Sequence, residues 1–130
     1  MQENVSRSAA HVLRGLHYQL PHVQGAIFDV VVDLRRSSPA FGRSATVNLD
    51  ARRPQSLWVP AGLAHGFLSL ADETRVQYLV TDYWVREAEH TLAWDDAALA
   101  IRWPLPAGVA PLLSAKDREG RPLKLAACFP

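Results

Sequence analysis

An all-β domain, a small barrel or sandwich, is what this sequence predicts, and three observations carry that expectation. Short runs rich in β-branched and aromatic residues alternate polar with apolar positions. Turn signals such as Ser37-Ser38-Pro39, Pro60-Ala61-Gly62 and Ala71-Asp72-Glu73 separate them. No extended helical stripe of apolar residues appears, and nine prolines are spread from position 21 to position 130.

A first strand is expected over residues 12–19. Residues 27–34 give the clearest one, in which Phe28, Val30, Val32 and Leu34 share one face while Asp29 and Asp33 share the other with Ile27 and Val31. Residues 44–49 alternate again, with Ala45, Val47 and Leu49 on one side. Residues 55–59 are a further run, closed by Pro60-Ala61-Gly62, where proline pre-sets φ and glycine follows. Residues 63–70 and 74–84 read as a hairpin pair. Single turns of helix are expected over 86–90 and 95–100, and the tail from Pro104 is rich in loops. With no repeat, low-complexity tract or linker, residues 1–130 are expected to form a single domain.

Composition narrows the function classes. Apolar residues make up 48% and charged residues 21%, a globular mixture rather than a disordered one. A formal charge of +1 argues against a nucleic-acid binder that coats phosphates. The single cysteine, Cys128, has no internal disulfide partner, which suits a reducing compartment. No apolar run is long enough to span a membrane, and the first ten residues lack the core of a signal peptide. A soluble cytoplasmic domain is expected.

Five histidines are the candidate chemistry: His11, His17, His22, His65 and His90. His17 and His65 fall inside expected strands, where a histidine lines a cavity or hydrogen-bonds on a wet sheet face. One imidazole in His17-Tyr18-Gln19, with no glutamate at close spacing, argues against a metal site. Arg14 and His17 have opposite parity on a regular strand, and a bulge at Gly15 would turn both inward. Tyr78 reads first as a packing residue. Ser114-Ala115-Lys116-Asp117 reads as an exposed loop.

Longer strings carry a more specific message. Residues 12–19 (Val-Leu-Arg-Gly-Leu-His-Tyr-Gln), Phe28-Asp29-Val30, Ser38-Pro39-Ala40-Phe41-Gly42, residues 57–67, Thr81-Asp82-Tyr83, Trp94-Asp95-Asp96, Ile101-Arg102-Trp103-Pro104 and Leu113-Ser114-Ala115-Lys116-Asp117 resemble, in order, the dTDP-4-dehydrorhamnose 3,5-epimerase family. The resemblance implies a cupin-like jelly-roll barrel that works as a homodimer without metal or cofactor. It implies epimerisation of a dTDP-linked 4-keto-6-deoxy sugar in deoxysugar or rhamnose biosynthesis. By the same resemblance His17 is the general base, Asp117 the carboxylate that orients it, and Tyr78 the acid on the opposite face. Arg14, His65 and Lys116 match diphosphate and site contacts, Gln2 and Asn4 match nucleotide contacts, and Tyr83 matches an aromatic near the sugar. The residue types suit the reaction. A C–H beside a ketone needs a base of near-neutral pKa, and the enolate charge needs a positioned donor.

Two departures from the family pattern stand out. The chain begins near the family's central part, and it is short between His17 and Phe28, so an incomplete barrel lacking one inner strand is expected. The family's catalytic lysine after Gln-Gly has no counterpart, since Ala26 follows Gln24-Gly25 and Lys116 and Lys124 are the only lysines. The contrasting expectation is a degenerate, non-catalytic module for nucleotide-sugar binding or dimerisation.

Overall fold

The computed structural model describes residues 2–17, 20–53, 55–80 and 85–130; for residues 2–4, 16–17 and 20–24 the description is of the backbone. Seven strands form two antiparallel sheets: β1 (Gln2–Ser8), β2 (Leu13–His17), β3 (Leu20–Gln24), β4 (Ala26–Asp33), β5 (Ser44–Asp50), β6 (Leu63–Ser69) and β7 (Thr74–Val80). The four-stranded sheet has the order β2-β6-β4-β5, and the three-stranded sheet the order β1-β7-β3. Among the described residues no helix is long and apolar enough to cross a membrane.

The valine-rich strand β4 sits between β5 and β6 and is covered on both faces. Val30, Val32 and Leu34, with Phe28 packed against them, face a core completed by Ala64, Leu92 and Leu99. Ile27 faces the other way, joining Leu49, Phe67 and Val76 between the two sheets. The two faces expected from alternation are therefore both real. The face that carries the aspartates is not wet, however: Asp29 and Asp33 are buried. A second sheet stacked on that face removes it from water, as sandwich packing requires.

Three sequence expectations change. Residues 63–70 and 74–84 do not form a hairpin. Strand β6 pairs with β2 on one side and β4 on the other, so neither of its edges is open to β7. The chain crosses instead from one sheet to the other around Glu73, which takes a left-handed φ of 56°. Residues 55–59 make no ladder and leave Trp58 exposed. The inner strand expected to be missing is present. β3 pairs with β7 from Leu20↔Leu79 to Gln24↔Arg75, and Gly25, at φ 97°, turns the chain into β4. A side chain at Gly25 would meet the Thr74 hydroxyl at 2.6 Å, so only glycine fits this corner.

Past residue 85 the chain wraps the outer face of the four-stranded sheet. Turns of 3₁₀ helix at Arg86–Ala88 and Ala97–Leu99 fall where single helical turns are expected. Leu92, Leu99, Ile101, Trp103, Leu123 and Ala126 cover β4. Trp103 meets Phe28 edge-on at 5.8 Å and donates its indole N–H to the Trp94 carbonyl at 2.8 Å. At the end of β4, Asp33 accepts the Arg35 Nε at 3.0 Å, the Arg35 Nη2 at 2.6 Å and the Ser38 hydroxyl at 2.7 Å, which ties the following loop to the sheet.

Two outcomes are expected of this packing. A Cβ at Gly66 would lie 2.6 Å from the Gly15 carbonyl oxygen and 2.7 Å from that of Arg14, both backbone atoms. Gly66→Ala should therefore lower unfolding free energy by about 1–3 kcal/mol in denaturant titration, and an unchanged midpoint would refute the close approach. The Arg35 guanidinium holds the Asp33 carboxyl well below the usual carboxylate range. A depressed folded pKa gives stability that is present above the unfolded pKa and lost as pH falls. The native advantage over Asp33→Asn in thermal melts should be larger near pH 7 than near pH 3, and an equal gap would show that the contact is steric.

Candidate functional site

Asp29 stands opposite Phe67 in the β4–β6 register, and His65 lies two residues from Phe67 on the same face. Both therefore point into the space between the sheets. The two Asp29 carboxylate oxygens lie 2.9 and 2.8 Å from His65 Nε2. Asp29 is 0% exposed and His65 5%. Burial pushes the Asp29 carboxyl up, while the hydrogen bond and charge of His65 pull against that rise. Tyr78 enters the same space from β7 in the other sheet, packed against the Ile27, Leu49, Phe67 and Val76 cluster. Burial pushes its phenol upward, Arg14 opposes the rise and Glu89 adds to it. Tyr78 thus carries its proton at neutral pH.

Strand β2 forms one rim of this space. Arg14 pairs with Phe67 and His17 with His65, so three steps along β2 match two along β6. This is a bulge, and it falls at Gly15, whose φ of 36° is uncommon for other residues. Arg14 is exposed; its Nε donates to the Ser8 hydroxyl at 3.1 Å and its Nη2 to the Arg7 carbonyl at 3.3 Å. The backbones of Gln2 and Asn4 on β1 pair with Val80 and Tyr78. Tyr83, with the rest of Thr81-Asp82-Tyr83, lies outside the described residues.

Lys116 and Asp117 are on the single-turn helix α1 (Ala115–Arg118), which replaces the exposed loop expected there. Ser114 caps it: its Oγ accepts the Asp117 N–H at 3.2 Å and donates to Asp117 Oδ2 at 2.7 Å. Asp117 is buried. The Lys116 ammonium donates to Glu89. Leu34, Ala64, Glu89, Leu92, Lys116 and Arg121 line a cavity of about 220 Å³ on the outer side of the sheet. Arg14, His65 and Tyr78 are not among its walls. Arg14, His65 and Tyr78 border the inter-sheet space, and Lys116 and Asp117 stand on α1. Glu89 holds Lys116, and its charge reaches Tyr78.

Sequence reading missed Asp29, Glu89 and Ser8. Asp29 had a usable signal, an acid in the middle of an otherwise apolar strand. Glu89 had none, because its neighbours are distant in the chain. Among the described residues no group of three or more His, Cys, Asp and Glu side chains comes together to hold a metal.

Comparison with known proteins gives a consistent result. Residues 1–124 match the family described as dTDP-4-dehydrorhamnose 3,5-epimerase. An epimerase of that name from Pseudomonas aeruginosa is 47% identical over 138 aligned positions, covering 100% of this chain and 75% of the relative. The one from Neisseria gonorrhoeae is 47% identical, and there the match spans 93% of this chain but 39% of the relative. The Legionella pneumophila dTDP-6-deoxy-D-glucose-3,5-epimerase, solved with dTDP-4-keto-L-rhamnose, superposes with a TM-score of 0.89 at 40% identity, covering 98% of this chain and 71% of that one. A 3'-monoepimerase from Streptomyces bikiniensis, solved with dTDP-quinovose, superposes at 0.86 with 38% identity, covering 95% and 66%.

Loss of the Ser114 hydroxyl removes both the α1 cap and a hydrogen bond to Asp117. Ser114→Ala should cost about 1 kcal/mol of stability in denaturant titration, and no loss would show that other contacts hold the turn.

Proposed function

The chain belongs to the dTDP-4-dehydrorhamnose 3,5-epimerase family, and from that premise we propose that residues 1–130 act as one domain that inverts the carbons beside the ketone of a dTDP-linked 4-keto-6-deoxy sugar. Two structural relatives were solved with dTDP sugars, which supports this ligand class. The observation that carries the reading is the division of labour between the sheets. Tyr78, half-buried and protonated, belongs to the three-stranded sheet, whereas His17 belongs to the four-stranded one. Inversion requires proton removal on one face of a carbon and proton return on the other, and a ligand between two sheets meets one sheet on each side.

In this reaction His17 takes the proton from the carbon beside the ketone. The C–H electron pair becomes a C=C bond and the carbonyl π pair moves to oxygen, forming an enolate. The enolate collapses, C=O re-forms, and the Tyr78 phenol gives its proton to the same carbon from the opposite side. Imidazolium and phenolate remain, and a proton returned through solvent resets them. Asp117 supports the imidazolium, as a carboxylate behind a histidine does. Arg14 and Lys116 hold the diphosphate by charge-assisted hydrogen bonds, His65 contacts the sugar, Gln2 and Asn4 the nucleotide, and Tyr83 flanks the sugar. Proton transfer alone balances the reaction, so this scheme calls for no metal or cofactor. The proposed setting is a cytoplasmic homodimer; the exposed Val5 and Leu79, on one face of β1 and β7, favour an apolar contact there.

Deuterium incorporation from D₂O into the carbons beside the ketone, followed by NMR, tests the reading. The native protein should exchange both positions. His17→Asn should slow exchange by about 10²–10⁴-fold while melting cooperatively. Exchange no faster than in buffer would replace the epimerase with a binding module.

A further inference from the structure

The buried Asp29–His65 pair needs an explanation that stability does not supply. Asp29 interrupts the apolar run Ile27-Phe28-Asp29-Val30-Val31-Val32 in the central strand and is 0% exposed. Taking a carboxylate and an imidazole out of water is costly, and apolar residues of similar volume often serve a core at least as well. Both Asp29 oxygens are directed at a single ring nitrogen, Nε2. Among the described residues no hydrogen bond is made by the other nitrogen, Nδ1. The backbone of His65 pairs with that of His17 on β2, and its side chain lies on the face of the four-stranded sheet that Tyr78 approaches from β7.

We propose that Asp29 is a positioning residue: it clamps Nε2–H of His65, fixing the ring's orientation and tautomer so that the bare Nδ1 accepts a hydrogen bond from a sugar hydroxyl of the bound nucleotide sugar. The epimerase reading enters only in naming the ligand. A carboxylate acts only as an acceptor when ionised, so the proton between the two groups sits on Nε2. An amide at position 29 can donate as well as accept. It would therefore release the tautomer without changing the side chain's shape.

Long-range ¹⁵N–¹H NMR of the full chain labelled in histidine reads the tautomer directly. The native spectrum should show His65 protonated at Nε2, and Asp29→Asn should shift the proton toward Nδ1. Calorimetry with dTDP-glucose, a nucleotide sugar without the reactive ketone, should show affinity reduced about tenfold in Asp29→Asn, in line with loss of one hydrogen bond from a sugar hydroxyl to Nδ1. A native His65 with bare Nε2 overturns the proposal, even if Asp29→Asn does not fold. So does a folded Asp29→Asn that binds dTDP-glucose as tightly as the native chain. Native protein that fails the deuterium assay but shows the Nε2–H tautomer loses the epimerase reading and keeps the clamp.

Discussion

Burial of β4 on both faces is the constraint from which the rest follows. A strand exposed on one side needs only one apolar row; this strand carries two, one under the wrap of residues beyond 85 and one against the second sheet. The wrap and the opposing sheet compete for nothing, because alternating side chains serve each in turn. A polar residue anywhere in the strand is then forced to find a partner. Asp33, at the strand's end, finds Arg35 and Ser38, and Asp29, in its middle, finds His65.

That arrangement gives the inter-sheet space its character. It is lined by Ile27, Leu49, Phe67 and Val76, yet holds a carboxylate, an imidazole and a phenol. Charges and hydrogen bonds act more strongly in such surroundings than in water. The phenol is held in its acidic form by burial, and the groups at its edge pull in opposite directions, Arg14 downward and Glu89 upward. The candidate groups on β2 and α1 sit where backbone irregularities place them, one at the Gly15 bulge and the other in the turn capped by Ser114.

Much of this was legible in the chain because alternation is a local property. The strand over 27–34, its two faces and the strand over 44–49 are all where periodicity puts them, and the bulge is marked by its glycine. Pairing is not local. Residues 63–69 and 74–80 look like a hairpin because a turn joins them, and nothing nearby reveals that β6 already has two partners. Asp29 misleads for the same reason: an aspartate on a strand signals a wet face unless one knows that another sheet lies over it. Glu89 holds Lys116 and acts on the Tyr78 phenol through its charge, three residues from distant segments, so family resemblance located two of them and only coordinates supplied the third.

The wrap over the outer face has a bearing on how the molecule is made. Leu92, Leu99, Ile101 and Trp103 cover Val30, Val32 and Leu34 from far along the sequence. During synthesis the nascent chain therefore shows a greasy strip on its central strand until those later residues clear the ribosome. Chaperone demand in this protein should be concentrated in that interval, and changes that loosen the wrap should reduce yield before they touch the chemistry between the sheets.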